Sequence, residues 1–224
     1  MKNSMLWLVA VVFGAVTVMA EEAAEYVYHA PQLDRAAEID GVVGPDEYPE
    51  AVMQANETPN RLPITGQPIK GRAFHDGRVL YVAVTVPVTD STLLANRSDR
   101  WAQDDGAEVC FRVAGDEPEA PVFVIHGFST GTFRSVALGG ADMYEASALE
   151  EAVTFAAATT PTSWTAEWAI PLEAAGIEFK PGLKLDFNLG VLRTEFYEWV
   201  NWRGTMGPTY QLGEGGTLVL EGAE

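Results

Sequence analysis

The chain has 224 residues, of which 32 are acidic and 14 basic, giving a formal charge of −18. That excess excludes nucleic acid as a partner, because phosphate binding needs clustered Lys and Arg, and it argues equally against anionic membrane surfaces. The one cysteine, Cys110, excludes an internal disulfide, so the fold must rest on packing or on a bound ion.

Residues 1–20 read as a processing signal. Met1-Lys2-Asn3-Ser4 is a short basic start, and residues 5–18 form an apolar run. A run of roughly 14 residues is shorter than the roughly 20 that span a bilayer. Val18 and Ala20 occupy the −3 and −1 positions of a small-residue cleavage site. No cysteine follows directly, which argues against a lipid anchor. The reading is a cleavable signal peptide over 1–20, a secreted or periplasmic product, and one domain over 21–224. Some 200 residues suit a single domain with a full core.

The elements that follow are almost all strands. A leader strand lies within 21–34, with Tyr26 and Tyr28 on one face. Ile39-Asp40-Gly41 ends a strand in a turn, and residues 45–49 fit one helical turn at most. Residues 53–68 hold Pro59, Pro63, Pro68 and Gly66, which predicts a loop or edge segment. Residues 69–74 and 79–86 flank His75-Asp76-Gly77-Arg78, a hairpin signal because Gly accepts positive φ without strain; His75 is expected to be solvated there. Residues 107–113 alternate, with Val109, Phe111 and Val113 on one face and Glu108, Cys110 and Arg112 on the other. Further strands are predicted over 121–128, 132–138, 153–158, 164–170, 184–192 and 217–220. Helix is confined to short pieces at 143–151 and 172–176. Many short strands with turns between them predict a sandwich or barrel.

Ordered motifs sharpen this reading. Ile39-Asp40-Gly41 and Glu47-Tyr48 are followed by the run from His75 to Val84, then by Trp101 and Asp104-Asp105-Gly106-Ala107-Glu108. Trp164-Thr165-Ala166-Glu167-Trp168, Phe187-Asn188-Leu189-Gly190, Trp202 and Gly216-Thr217-Leu218-Val219-Leu220 complete the series. In this order they resemble the family 9 carbohydrate-binding modules and their DOMON-like relatives, over about 39–220. The resemblance implies an all-β fold, a two-sheet antiparallel sandwich of immunoglobulin or jelly-roll type. It implies non-catalytic binding of a glycan or sugar end.

The resemblance also nominates residues. Family members often hold a terminal sugar between two aromatics, one just before the acidic strand and one before the last strand. Trp101 and Trp202 match those positions. Trp199 is the rival to Trp202, which is preferred because polar Asn201 and Arg203 flank it. Glu108 opens the strand where the family places a carboxylate for sugar hydroxyls, and a carboxylate accepts two such donors. Asn188, Arg193, Asn201 and Arg134 are further polar candidates. Trp164 and Trp168 are assigned to the core or sheet surface.

Catalytic chemistry finds little support. No Gly-x-Ser-x-Gly elbow and no zinc spacing occurs. The adjacent pairs Asp104-Asp105 and Glu150-Glu151 point to opposite faces of a strand, so neither forms a two-carboxylate glycosidase site. The acidic loops at Asp40, Asp46-Glu47, Asp90, Asp104-Asp105 and Asp116-Glu117 allow a structural calcium, which takes six to eight oxygens. Some DOMON relatives bind haem through Met with His or Lys. Met53, Met143, Met206, His75 and His126 sit in no such motif, and no haem is expected. The alternatives to sugar binding are that electron-transfer role and a structural or cell-surface sandwich without a sugar ligand.

Overall fold

Alternation of apolar and polar residues produces twelve strands and one α-helix among the described residues of the computed structural model, which are 26–222 except 45, 116, 118 and 119. The predicted signal over 1–20 lies outside them. The strands are β1 (Val27–Ala30), β2 (Met53–Ala55), β3 (Ile69–His75), β4 (Val79–Pro87), β5 (Gly106–Val113), β6 (Phe123–Phe128), β7 (Phe133–Val136), β8 (Thr154–Thr160), β9 (Ser163–Pro171), β10 (Leu183–Arg193), β11 (Glu198–Asn201) and β12 (Gly216–Leu220). Helix α1 (Met143–Ala152) begins at Asp142, whose side chain accepts from the Tyr144 and Glu145 backbone while Glu145 reaches back, a capping box that satisfies the free N–H groups of the first turn. Among the described residues, no helix is long and apolar enough to cross a membrane.

The strands form two sheets. The larger runs β1-β12-β10-β5-β6-β7, with β11 added to β10; the smaller runs β2-β3-β4-β9-β8. All ladders are antiparallel except β1 with β12. Strand β10 organises the larger sheet. One edge pairs β5, and the other pairs β12 over residues 183–187 and β11 over residues 190–193.

The core lies between the sheets. Val109 and Phe111 of β5, Phe187 and Leu189 of β10, Leu80, Val82 and Val84 of β4, and Trp164 and Trp168 of β9 share one cluster. Burying an aromatic side chain removes roughly 150–250 Å² from water, a gross stabilisation of roughly 4–6 kcal/mol before entropy. The predicted alternation of β5 holds, and of the two places left open for Trp164 and Trp168, core or sheet surface, both take the core.

The Asp-Gly turn near the start of the described chain closes the outer face of the smaller sheet. Gly41 has φ +85°, and a Cβ there would lie 2.5 Å from the Ala157 carbonyl carbon. Only glycine fits that turn. Its N–H donates to Glu167 Oε2 at 2.7 Å, and its carbonyl accepts from the Thr165 hydroxyl. Tyr48, Phe74, Tyr81 and Ala83 pack beside it as a second apolar cluster. Burial pushes the Glu167 carboxyl above the usual range, although the Gly41 N–H opposes the shift.

Two expectations are revised. His75 is buried, not solvated: its ring packs against Phe179 with centroids 4.8 Å apart, and its Nδ1 accepts from the Gly77 N–H. Burial accordingly lowers its affinity for a proton. Strand β11 was not foreseen, and the edge segment at 53–68 contains the short β2.

Candidate functional site

Cross-strand register assembles a polar row on the outer face of the larger sheet. Asn201 pairs with Gly190, Gly190 with Glu108, Glu108 with His126, and His126 with Arg134. Directly opposed residues point to the same side of a sheet. The alternation that sends Val109 and Ala107 into the core therefore puts Glu108 on the opposite face. Glu108 and His126 are each only 3% exposed. Glu108 Oε2 lies 3.3 Å from His126 Nε2, and neither atom has a hydrogen-bond partner among the described residues.

Trp101 lies over this pair. Its ring stacks on His126 with centroids 3.7 Å apart and planes 12° off parallel. Gly106 permits the approach, since a Cβ there would lie 3.1 Å from the indole. The loop that carries Trp101 is held by the acidic pair. Asp104 Oδ2 accepts from the Ser98 N–H at 3.0 Å and the Arg100 N–H at 3.1 Å. Asp105 accepts from the Ala95 N–H at 2.7 Å and from the Thr194 N–H and hydroxyl. Burial pushes both carboxyls up. At Asp104 the backbone donors outweigh it and hold the group below the usual range; at Asp105 burial wins. Both carboxylates are engaged by donors of this loop and of Thr194, so this acidic signal belongs to the loop's own architecture.

The second aromatic is Trp199. Strand β11 alternates, so Trp199 and Asn201 project outward while Val200 enters the core. Trp202 stands three residues from Trp199, an odd separation that reverses its side. The expectation for Trp202 is therefore corrected. It is 5% exposed and lies in the core, edge-on to Tyr26 at 6.1 Å and Phe187 at 6.0 Å. Trp199 meets Trp101 at 5.2 Å with planes 63° apart. Two stacking layers around a sugar would need about 7–8 Å between rings. The pair therefore forms a corner in this geometry, not a parallel slot.

That corner opens onto a depression of about 360 Å³, lined also by Glu108, Leu138, Pro208, Thr209 and Tyr210, a volume within the range of small-ligand sites. Asn188 is buried behind the loop that carries Pro208 and Thr209 and does not line the depression. Its Nδ2 donates to the Arg203 and Thr209 carbonyls at 2.8 and 3.4 Å, and its Oδ1 accepts from the Leu189 and Arg203 N–H groups at 3.0 and 3.1 Å. All its valences are filled, so it positions the 203–209 loop and is not free for a ligand. Arg193 is also internal: it donates to the Thr65 and Gln67 carbonyls and to Glu198 at 2.6 Å, with its guanidinium over Phe196. Asn201 is buried at the end of the row, and Arg134 is exposed at the edge strand, 3.7 Å from Glu150. Neither lines the depression. Of the seven nominated residues, the structure brings Trp101 and Glu108 together there, and adds Trp199 and Tyr210, with His126 stacked beneath Trp101.

Among the described residues, no three His, Cys, Asp or Glu side chains gather to hold a metal. Asp40 is bound to Val42 N–H, Glu47 to Glu38 N–H and Asp90 to Thr92. For haem, Met53 is in the core, Met143 and Met206 are exposed on separate segments, and His126 lies under Trp101.

Comparison with known proteins agrees with this architecture. A carbohydrate binding module family 9 from Caldicellulosiruptor kristjanssonii, in complex with cellotriose, superposes with a TM-score of 0.63 at 15% identity, covering 88% of this chain and 95% of that one. A carbohydrate binding module family 9 from the same organism, in complex with glucose, gives 0.63 at 16% identity, with 88% and 97% covered. A putative carbohydrate-binding protein from Bacteroides uniformis ATCC 8492 gives 0.58 at 15% identity, with 87% and 99% covered. At these identities the likeness shows the fold alone. No curated protein matches the chain. The profile of the carbohydrate family 9 binding domain-like family, however, matches residues 39–223, and the chain belongs to that family.

Proposed function

We propose that the protein is an exported, non-catalytic carbohydrate-binding module that holds a sugar ring in the corner between Trp101 and Trp199. The observation that carries this reading is the pairing of two indoles with one buried carboxylate, Glu108, at a single depression. An indole face covers the C–H face of a pyranose, while a carboxylate accepts its hydroxyls. His126 acts from beneath as the plane on which Trp101 rests. Membership of family 9 supports the ligand class, as do relatives solved with cellotriose and glucose. Glycoside hydrolysis needs a second carboxyl across the cavity, and Glu108 is the one acidic residue of the depression among the described residues.

Calorimetric titration against a panel of neutral mono- and oligosaccharides tests the reading. Trp199→Ala is expected to weaken binding about five- to thirtyfold, and Trp101→Ala similarly, since one stacking partner supplies about 1–2 kcal/mol. Binding that survives both substitutions would remove the site. No haem is part of this function, and purified protein titrated with hemin is expected to develop no Soret band. Export is tested separately: mass spectrometry is expected to find an N-terminus near Glu21, and an intact Met1 in the exported protein would contradict cleavage.

A further inference from the structure

Each sheet ends in strands that are paired on one side only, and one of these edges is unlike the rest. Strands β1, β2, β7 and β11 have four residues or fewer. The Ser135 N–H of β7 donates to Glu150 Oε2 at 2.9 Å, and α1 packs against that strand. Glu57 exchanges both backbone hydrogen bonds with Asn201 at the end of β11, at 3.3 and 2.7 Å. Strand β8 is seven residues long, none of them buried, and β9 is its one strand partner among the described residues.

Proteins keep long edge strands from pairing by charge, proline, a bulge or a covering element. Strand β8 has none of these. Residues 152–166 carry no charge in a chain of −18, and the register with β9 runs unbroken from Thr154 to Thr160. The two-residue turn at Pro161-Thr162 makes Thr160 and Ser163 a hydrogen-bonded pair. Alternation then turns the N–H and C=O groups of Phe155, Ala157 and Thr159 away from β9. No backbone partner meets them among the described residues.

We propose that β8 is a homodimer interface, at which a second copy of the chain adds its own β8, antiparallel, across a two-fold axis at Ala157. The strand is self-complementary about that residue, which singles out a second copy as the partner. Ala156 falls opposite the partner subunit's Ala158, and Thr154 opposite the partner subunit's Thr160, both on the outer face. Phe155 falls opposite the partner subunit's Thr159 on the inner face. Threonine pairs and aromatic–threonine pairs of this kind stabilise antiparallel ladders. Two acidic chains repel over most of their surfaces, and this uncharged edge lets them meet without opposed carboxylates. No residue of the Trp101–Trp199 depression lies on β8, so the dimer neither blocks that site nor depends on the sugar-binding reading.

Sedimentation velocity of the mature protein at about 0.15 M salt tests the proposal. A single strand pair gives an interface at the small end of specific ones, so half-dimerisation is expected at roughly 1–100 µM. Thr154→Glu combined with Thr160→Glu sets carboxylates opposite each other at both ends of the pair and is expected to weaken the dimer about tenfold. Thr154→Glu combined with Thr160→Lys sets opposite charges there and is expected to stay within about threefold of native. Both positions are exposed, so equal melting temperatures of the dilute proteins are expected to confirm folding. Amide exchange at Phe155, Ala157 and Thr159 is expected to slow as concentration rises. A monomer at every concentration up to about 500 µM, or a dimer unaffected by the like-charge substitutions, overturns the interface. Equal weakening by both double variants overturns the antiparallel two-fold register.

Discussion

Two glutamates, Glu108 and Glu167, occupy equivalent settings on the two sheets. Each lies on an outer face, each is almost fully buried, and each has one oxygen without a hydrogen-bond partner. Their coverings differ. Over Glu167 the 39–48 segment closes down, donates the Gly41 N–H and packs Tyr48 beside it. The Tyr48 hydroxyl is pushed far up in pKa by burial and by that carboxylate. Over Glu108 the cover is a stacked tryptophan and histidine beside an open depression. A buried outward carboxylate thus staples the fold where a loop donates to it, and is left open to a depression where aromatic side chains cover it; the proposed function makes the second one the binding group.

The two tryptophans of the 198–204 segment break this comparison most strongly. Trp202→Ala opens the core and is expected to cost about 3–5 kcal/mol of stability, read as a fall in the urea midpoint. Trp199→Ala, at the partly exposed corner, is expected to cost about 1 kcal/mol or less of stability while weakening the affinity that Trp202→Ala protein retains when folded.

The next effect is the pH dependence that Glu167 confers. The folded pKa of Glu167 is raised above its unfolded value of about 4.5. The folded state therefore binds the proton more tightly, and the stability this contributes is fully present below about pH 4.5 and lost as pH rises through the raised value. Glu167→Gln is expected to remove that loss, so the stability difference between variant and native protein should grow with pH across this window. Asp104 runs the other way: its lowered pKa gives stability that is present above about 3.8 and lost as pH falls.

A smaller effect is expected at His126. His126→Ala removes the plane beneath Trp101 and is expected to weaken sugar binding about fivefold, with His126→Phe restoring it and the Trp101 fluorescence change on binding following the same order. The smallest concerns calcium. Since Asp40, Glu47, Asp90, Asp104 and Asp105 already accept from backbone donors, calcium after chelation is expected to shift the melting temperature no more than sodium chloride at matched ionic strength. A specific rise of several degrees would reveal a site that uses other ligands.

Much of this was legible in the sequence, because period-2 alternation fixes faces. The outward Glu108, the core positions of Trp164 and Trp168, and the hairpin at Asp76-Gly77 all follow from it. The assignment of Trp202 failed for a physical reason: flanking polar residues were weighed, whereas the odd separation from Trp199 decides which one faces outward. Asn188 and Arg193 look like ligand-binding groups as residue types, but their hydrogen bonds run to carbonyls distant in sequence, which no local pattern reveals. His126 was equally hidden, since its place under Trp101 depends on the register between β5 and β6.

The most direct measurement is a side-by-side calorimetric titration of Glu108→Gln and Glu167→Gln with the sugar that the native protein binds. Glu108→Gln loses a charged acceptor for the sugar hydroxyls and is expected to weaken binding about tenfold or more, while Glu167→Gln stays within about twofold of native. Native affinity in Glu108→Gln, or an equal loss in both, would contradict the assignment of the sugar site to the larger sheet.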